Sequence, residues 1–128
     1  MDLSQFYGTQ AYHKISMFNY VVTDGVKHIA QEGGAFWLMD EIGMAAIDLY
    51  RKGGRLAEMQ FWNLKKNKSG NGAKLTCVAD SGEPSVYTKK IPYTDFPFDS
   101  SFDSIDIWVQ PTIIEGRKTL VLMLKSEY

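Results

Sequence analysis

AFWLMDEIGMAAIDLYRKGG, residues 35–54, is the stretch on which the fold turns. With successive residues about 100° apart around a helix, Ala35, Leu38, Met39, Ile42, Ala45, Ala46 and Leu49 fall on one face, the stripe a surface helix buries. Gly53-Gly54 ends the pattern, and Arg51 and Lys52 stand in the last turn, where the helix dipole favours cations. A helix over Ala35–Lys52 is therefore expected. Its opposite face should be polar, yet Phe36, Trp37, Met44 and Ile47 stand there among Asp40, Asp48 and Arg51. Such a helix needs cover on a second side, from the N-terminal part of the chain or from another protein. Phe36, Trp37, Asp40, Met44 and Ile47 are accordingly the candidate partner-binding residues, with Asp40 expected to meet a tyrosine hydroxyl or backbone N–H of the N-terminal part.

Working upstream, Thr23-Asp24-Gly25 reads as a helix start: Thr23 can cap the free N–H groups, Asp24 suits the first turn, and Val26, Ile29 and Ala30 give a short apolar stripe that ends at Gly33-Gly34. Residues 1–22 carry Phe6, Tyr7, Tyr12, Phe18 and Tyr20 without a sustained period, which suggests an aromatic-rich arm laid over the longer helix. Downstream the period changes to two. Five strands are expected, at Met59–Lys65, Ala73–Ala79, Val86–Ile91, Ser104–Val109 and Lys118–Leu124. Turn clusters at Asn67–Gly72, Asp80–Pro84 and Ile114–Arg117 join them, with a longer link at Asp95–Ser101. Helices followed by strands on short loops predict an α+β fold: a five-stranded, mainly antiparallel meander with two helices on one face. One domain over residues 1–128 is expected, with an arm (1–22), a helical part (23–52) and a sheet part (57–128). Its core should hold Leu38, Ile42, Leu49, Trp62, Leu64, Leu75, Cys77, Ile105, Ile107, Leu120 and Leu122.

The run Thr23–Ile42, TDGVKHIAQEGGAFWLMDEI, resembles the signature block of a family of small uncharacterised proteins, a domain of unknown function found in bacterial genomes, plasmids and phages. Three further pieces match in order: Gln60-Phe61-Trp62-Asn63-Leu64, Tyr93-Thr94-Asp95-Phe96-Pro97 and Lys125-Ser126-Glu127-Tyr128. The family more often ends in Leu-Pro-Ser-Glu-Tyr, where this chain has Leu124-Lys125-Ser126-Glu127-Tyr128. The resemblance implies no activity. What it implies is the company of phages and mobile elements.

Composition narrows the function classes. With 14 Lys+Arg against 15 Asp+Glu, there is no global pull toward nucleic acid or anionic lipid. The 45% hydrophobic content, rich in aromatics, suffices for one core without disulfides or a structural metal. The opening MDLSQFYGTQAYHK lacks the apolar run of a secretory signal, and no segment nears the roughly 20 apolar residues of a membrane span. Together with the single cysteine, this makes the cytoplasm the expected location.

Motifs for chemistry are sparse. His13, His28 and Cys77 make no convincing zinc spacing, so neither metal nor cofactor is expected; hydrogen-bonded or exposed histidines and a small buried Cys77 are. Asp40 and Glu41 point about 100° apart on a helix and cannot form a facing acid–base pair; Glu41 reads as solvated. The glycines form neither a dinucleotide fingerprint nor a phosphate loop. Lys65, Lys66 and Lys68, with Lys74, make a basic hairpin that Lys89 and Lys90 extend, and these can touch phosphate or merely protect a sheet edge. Asp95, Asp99, Asp103 and Asp106 alternate with Phe96, Phe98 and Phe102, either a phosphate-like acidic stretch or a polar loop anchored by aromatics.

The leading expectation is a small non-enzymatic protein of a phage or mobile element that binds a host or element-encoded protein, an inhibitor of host defence such as an anti-CRISPR being its sharper form. The alternatives are a nucleic-acid-binding module using Lys65, Lys66, Lys68, Lys89 and Lys90, and an enzyme with a dispersed site. A homodimer through Trp37 and Met44 is compatible with each.

Overall fold

The computed structural model describes residues 1–8 and 11–128. Among them two helices, α1 (Asp24–Glu32) and α2 (Phe36–Arg51), accompany seven strands: β1 (Tyr12–His13), β2 (Tyr20–Thr23), β3 (Gln60–Lys66), β4 (Ala73–Val78), β5 (Tyr87–Ile91), β6 (Ser104–Ile114) and β7 (Arg117–Met123). Short 3-10 turns lie at Gly54–Ala57 and Lys125–Glu127. The sheet runs β1-β2-β7-β6-β3-β4-β5, all neighbours antiparallel except the parallel pair β2 and β7.

The α+β class stands, but the five-stranded antiparallel meander is corrected to a seven-stranded mixed sheet. Two strands come from the supposed arm. Tyr20-Val21-Val22-Thr23 is buried at every position, so it shows no alternation; a strand paired in parallel and covered on both faces reads as a continuous apolar run. The meander is also broken in order. After β5, residues 92–103 return the chain to the far side of β3, where the β6–β7 hairpin forms. β6 continues past Val109 to Ile114 despite Pro111. β3 begins opposite Val109, so β6 has a free edge beyond it, where proline is tolerated.

The helices cover one face of the sheet. Its inward residues include Trp62, Leu64, Leu75, Cys77, Ile105, Ile107, Leu120 and Leu122, which join Leu38, Ile42 and Leu49 in one core, every one at most 5% exposed. On the other face a smaller cluster, Val21, Val121 and Met123, lies beside the half-buried Trp108 and Ile114.

Pieces far apart in sequence lock these layers. Thr23 holds the expected cap position of α1, but its side chain makes no cap bond. The carboxylate of Glu127, 2% exposed, serves instead: it accepts from the Thr23 hydroxyl (2.6 Å), the Gly25 amide (2.9 Å) and the Leu124 amide (3.0 Å). An anion at a helix N-terminus is favoured by the dipole as well as by the free N–H groups. A Cβ at Gly25 would stand 2.6 Å from both Glu127 Oε1 and Leu124 Cδ1, so only glycine admits this cap. Similarly, Gly43 lets the Tyr20 ring lie against α2, where a Cβ would come within 2.4 Å of it. The Tyr20 hydroxyl then donates to Asp40 at 2.6 Å.

Candidate functional site

The outward half of α2 keeps what the sequence promised in part. Phe36, Trp37 and Met44 remain 44%, 37% and 48% exposed. Asp40 and Ile47 are instead employed internally. Asp40 accepts from Tyr20, the tyrosine of the former arm, and burial together with this bond pushes the Tyr20 hydroxyl well above its ordinary range. Ile47 packs half-buried against the core. Of the five partner-binding candidates, three therefore form an open stripe and two help hold β2 and α2 to the body.

Trp37 and Glu41 are four residues apart on α2 and share a flank. On β5, Tyr87, Lys89 and Ile91 take the helix-facing side because they pair with the inward Cys77, Leu75 and Ala73. Glu41 Oε1 accepts from the Tyr87 hydroxyl at 2.7 Å and from Lys89 Nζ at 2.9 Å, so Glu41 is not merely solvated. Burial alone would raise its pKa, but the Lys89 and Tyr87 hydrogen bonds and the Lys89 charge outweigh burial and hold the carboxyl below its ordinary value. Tyr87 is pushed up to about 12, first by burial and then by donating to Glu41. Its ring also meets Trp62 at 5.1 Å between centroids, which fixes the hydroxyl.

Beyond β5 the chain continues through Tyr93, Thr94 and Asp95, held by the Thr94 amide donating to the Asn71 carbonyl at 2.8 Å. Trp37, Glu41, Lys89, Ile91, Tyr93, Thr94 and Asp95 together line a cleft of about 320 Å³, near the lower end of ligand pockets. Two aromatic rings, a fixed carboxylate already paired with lysine, and the second carboxylate of Asp95 suit a basic or amide-bearing side chain beside an apolar one. A larger and more apolar hollow of about 510 Å³ lies between Leu3, Phe102, Ile105 and Leu124, with Asp106 and Lys125 also in its lining.

The other chemical candidates are accounted for by packing. Cys77 is fully buried, and burial pushes its thiol up to about 12, the reverse of an activated thiolate. His13 Nε2 lies 2.6 Å from Asp24 Oδ1, and His28 packs on Phe6 at 5.1 Å. Among the described residues no group of three or more His, Cys, Asp or Glu is placed to hold a metal ion. Phe96, Phe98 and Phe102 form a ring cluster with centroids 4.7 to 6.1 Å apart, so aromatics anchor the acidic loop.

The lysines divide between faces. Lys89 points to the helix side and pairs with Glu41. Lys65, Lys66 and Lys68 line a hollow shared with Asp99 and Asp103, which temper their charge. Lys65 and Lys90 are exposed on the helix-free face.

These features define an α+β domain whose mixed sheet carries its helices on one face and a small aromatic and charged cleft at their border. The chain belongs to a family of unknown function, DUF6876, whose profile matches residues 1–128. No curated protein and no solved structure matches it. No helix among the described residues is long and apolar enough to cross a membrane.

The sequence pieces that carried the family resemblance meet in space. Thr23 and Gly25 receive Glu127 of the closing segment. Gly33 lies under Phe96, a Cβ there reaching within 3.1 Å of the ring. Gln60 orients Trp62 (Nε1 to Oε1, 3.0 Å) while donating to the Ala46 and Leu56 carbonyls. Sequence reasoning missed the Glu127 cap and the Tyr87–Glu41–Lys89 cluster. The alternation that places Tyr87 and Lys89 on one face was a usable signal for the second; no local signal marks the first.

Proposed function

We propose that this chain is a small, non-enzymatic protein-binding protein of the phage or mobile-element kind, acting in the cytoplasm. Its partner, a host or element-encoded protein, docks on the outer stripe of α2 and inserts a side chain into the adjoining cleft. The observation that supports this is continuity: Trp37 belongs both to the exposed stripe with Phe36 and Met44 and to the wall of the cleft. An apolar strip with a charged rim, here Asp48 and Arg51, has the makeup of a binding surface. A segment offering an apolar residue to Trp37 and Met44, and a basic one to Asp95, fits this chemistry. Inhibition of a host defence system, anti-CRISPR action being one form, is the more specific reading and rests on the family resemblance alone.

The test uses a photo-crosslinking amino acid at Met44 in the full chain, with the same group at Lys52 as control, in bacterial lysate. A discrete adduct formed at Met44, absent at Lys52 and lost in Trp37→Glu, is expected. Identical adducts at both positions, or none at Met44, would overturn the reading. For the sharper form, the protein is expressed in a CRISPR-bearing host challenged with a targeted phage; restored plaques that Trp37→Glu abolishes are expected, and unchanged immunity excludes it for that system.

A further inference from the structure

The helix-free face of the sheet is organised in rungs. Lys65 pairs directly with Lys74, and Lys74 with Lys90, which places three ammonium groups side by side across β3, β4 and β5. All three are exposed, and among the described residues none of them makes an ion pair, although Lys65 also borders the hollow that Asp99 and Asp103 share. Like charges directly opposite each other in a sheet are destabilising. Edge protection accounts for lysine on β5, the edge strand, but not for Lys65 and Lys74 on interior strands.

Two residues along, the next rung is Asp106, Asn63, Thr76 and Thr88, a line of hydrogen-bonding side chains. Asp106 is engaged by Asn63 Nδ2 at 2.9 Å. Two further, Trp108 and Phe61 stand edge to face at 5.0 Å beside Val78. Lys125 Nζ lies 6.0 Å from the Trp108 ring centroid and adds a cation at this end. From the aromatic rung to the lysine rung is four residues of strand, about 13 Å.

From this arrangement we infer that the helix-free face binds single-stranded nucleic acid, the lysine row and Lys125 meeting phosphates, the middle rung meeting base edges, and Trp108 and Phe61 stacking a base. An extended strand with exposed π-faces matches a sheet face that alternates cations, hydrogen-bonding groups and rings, as single-strand binders do. An acidic polypeptide would match the lysines but leave the aromatic rung without a role. This surface lies on the opposite side of the sheet from the α2 stripe, so it stands or falls independently of the partner reading.

The experiment is fluorescence anisotropy of a labelled 20-nucleotide oligothymidylate titrated with the full chain at several salt concentrations. Binding is expected at low salt, with a log–log salt slope of about −3 for four phosphate contacts on a single strand. The variant carrying Lys65→Ala, Lys74→Ala and Lys90→Ala is expected to bind at least about tenfold more weakly, while Lys52→Ala binds normally, since each lost contact removes counterion release. The wild-type slope needs no variant, so the inference is tested even if the triple variant misfolds. No binding at low salt, a slope near zero, or polyglutamate competing as well as unlabelled oligothymidylate would each overturn it, the last by assigning the row to acidic proteins.

Discussion

Glu127 places a carboxylate where it is 2% exposed and accepts bonds from Thr23, Gly25 and Leu124, thereby joining the end of the chain to the start of α1. Replacing it with Ala deprives two buried amides of that acceptor, and a loss of about 3 kcal/mol in urea unfolding is expected. Gly43→Ala drives a methyl into the Tyr20 ring and should lower stability by about 1–3 kcal/mol in the same assay, the usual range for overpacking. Glu41 gives a pH signature. Its folded pKa lies below its unfolded value, so its contribution is present above about pH 4.5 and fades as pH falls through the folded value. The melting-temperature gap between wild type and Glu41→Gln should therefore narrow on acidification below pH 4.5. Tyr87 acts oppositely: its pKa is raised to about 12, so stability is full below pH 10 and declines between about 10 and 12, a decline that Tyr87→Phe should reduce. At this scale the sequence offered Asp40 a tyrosine hydroxyl or a backbone N–H of the N-terminal part, of which the structure has the hydroxyl of Tyr20, and it named eleven core residues that are all buried. It could not reveal Glu127, because a cap supplied from about a hundred residues away leaves no local pattern.

Elements built on periodicity were legible, and those built on burial alone were not. α2 has a stripe and a glycine stop, and its expected span of Ala35–Lys52 differs from Phe36–Arg51 by one residue at each end. β3, β4 and β5 alternate and were placed within a residue. β2 has neither alternation nor length, since both its faces are covered, and it passed for part of an arm. β6 was expected to stop at Val109, whereas it runs on through Pro111 to Ile114, because its free edge there depends on where β3 begins. The members of the lysine row were visible, since Lys65, Lys74 and Lys90 were all named, but their alignment across three strands is a matter of register. Because that alignment sets like charges together, Lys74→Thr should raise stability by about 0.5 kcal/mol, measured by the urea midpoint.

The whole molecule presents two open surfaces, the α2 stripe and the helix-free sheet face, while its sheet edges discourage self-association. β1 is two residues long, and β5 carries Lys89 and Lys90. Three side chains about half exposed make too narrow a strip for the broad apolar contact of an obligate homodimer. The central claim is therefore that the α2 stripe is reserved for a different protein. Light scattering of the purified chain over a wide concentration range tests it most directly. A constant mass of 14.5 kDa is predicted. A stable mass of twice that value, returned to the monomer by Trp37→Glu, would contradict it by showing that a second copy occupies the stripe.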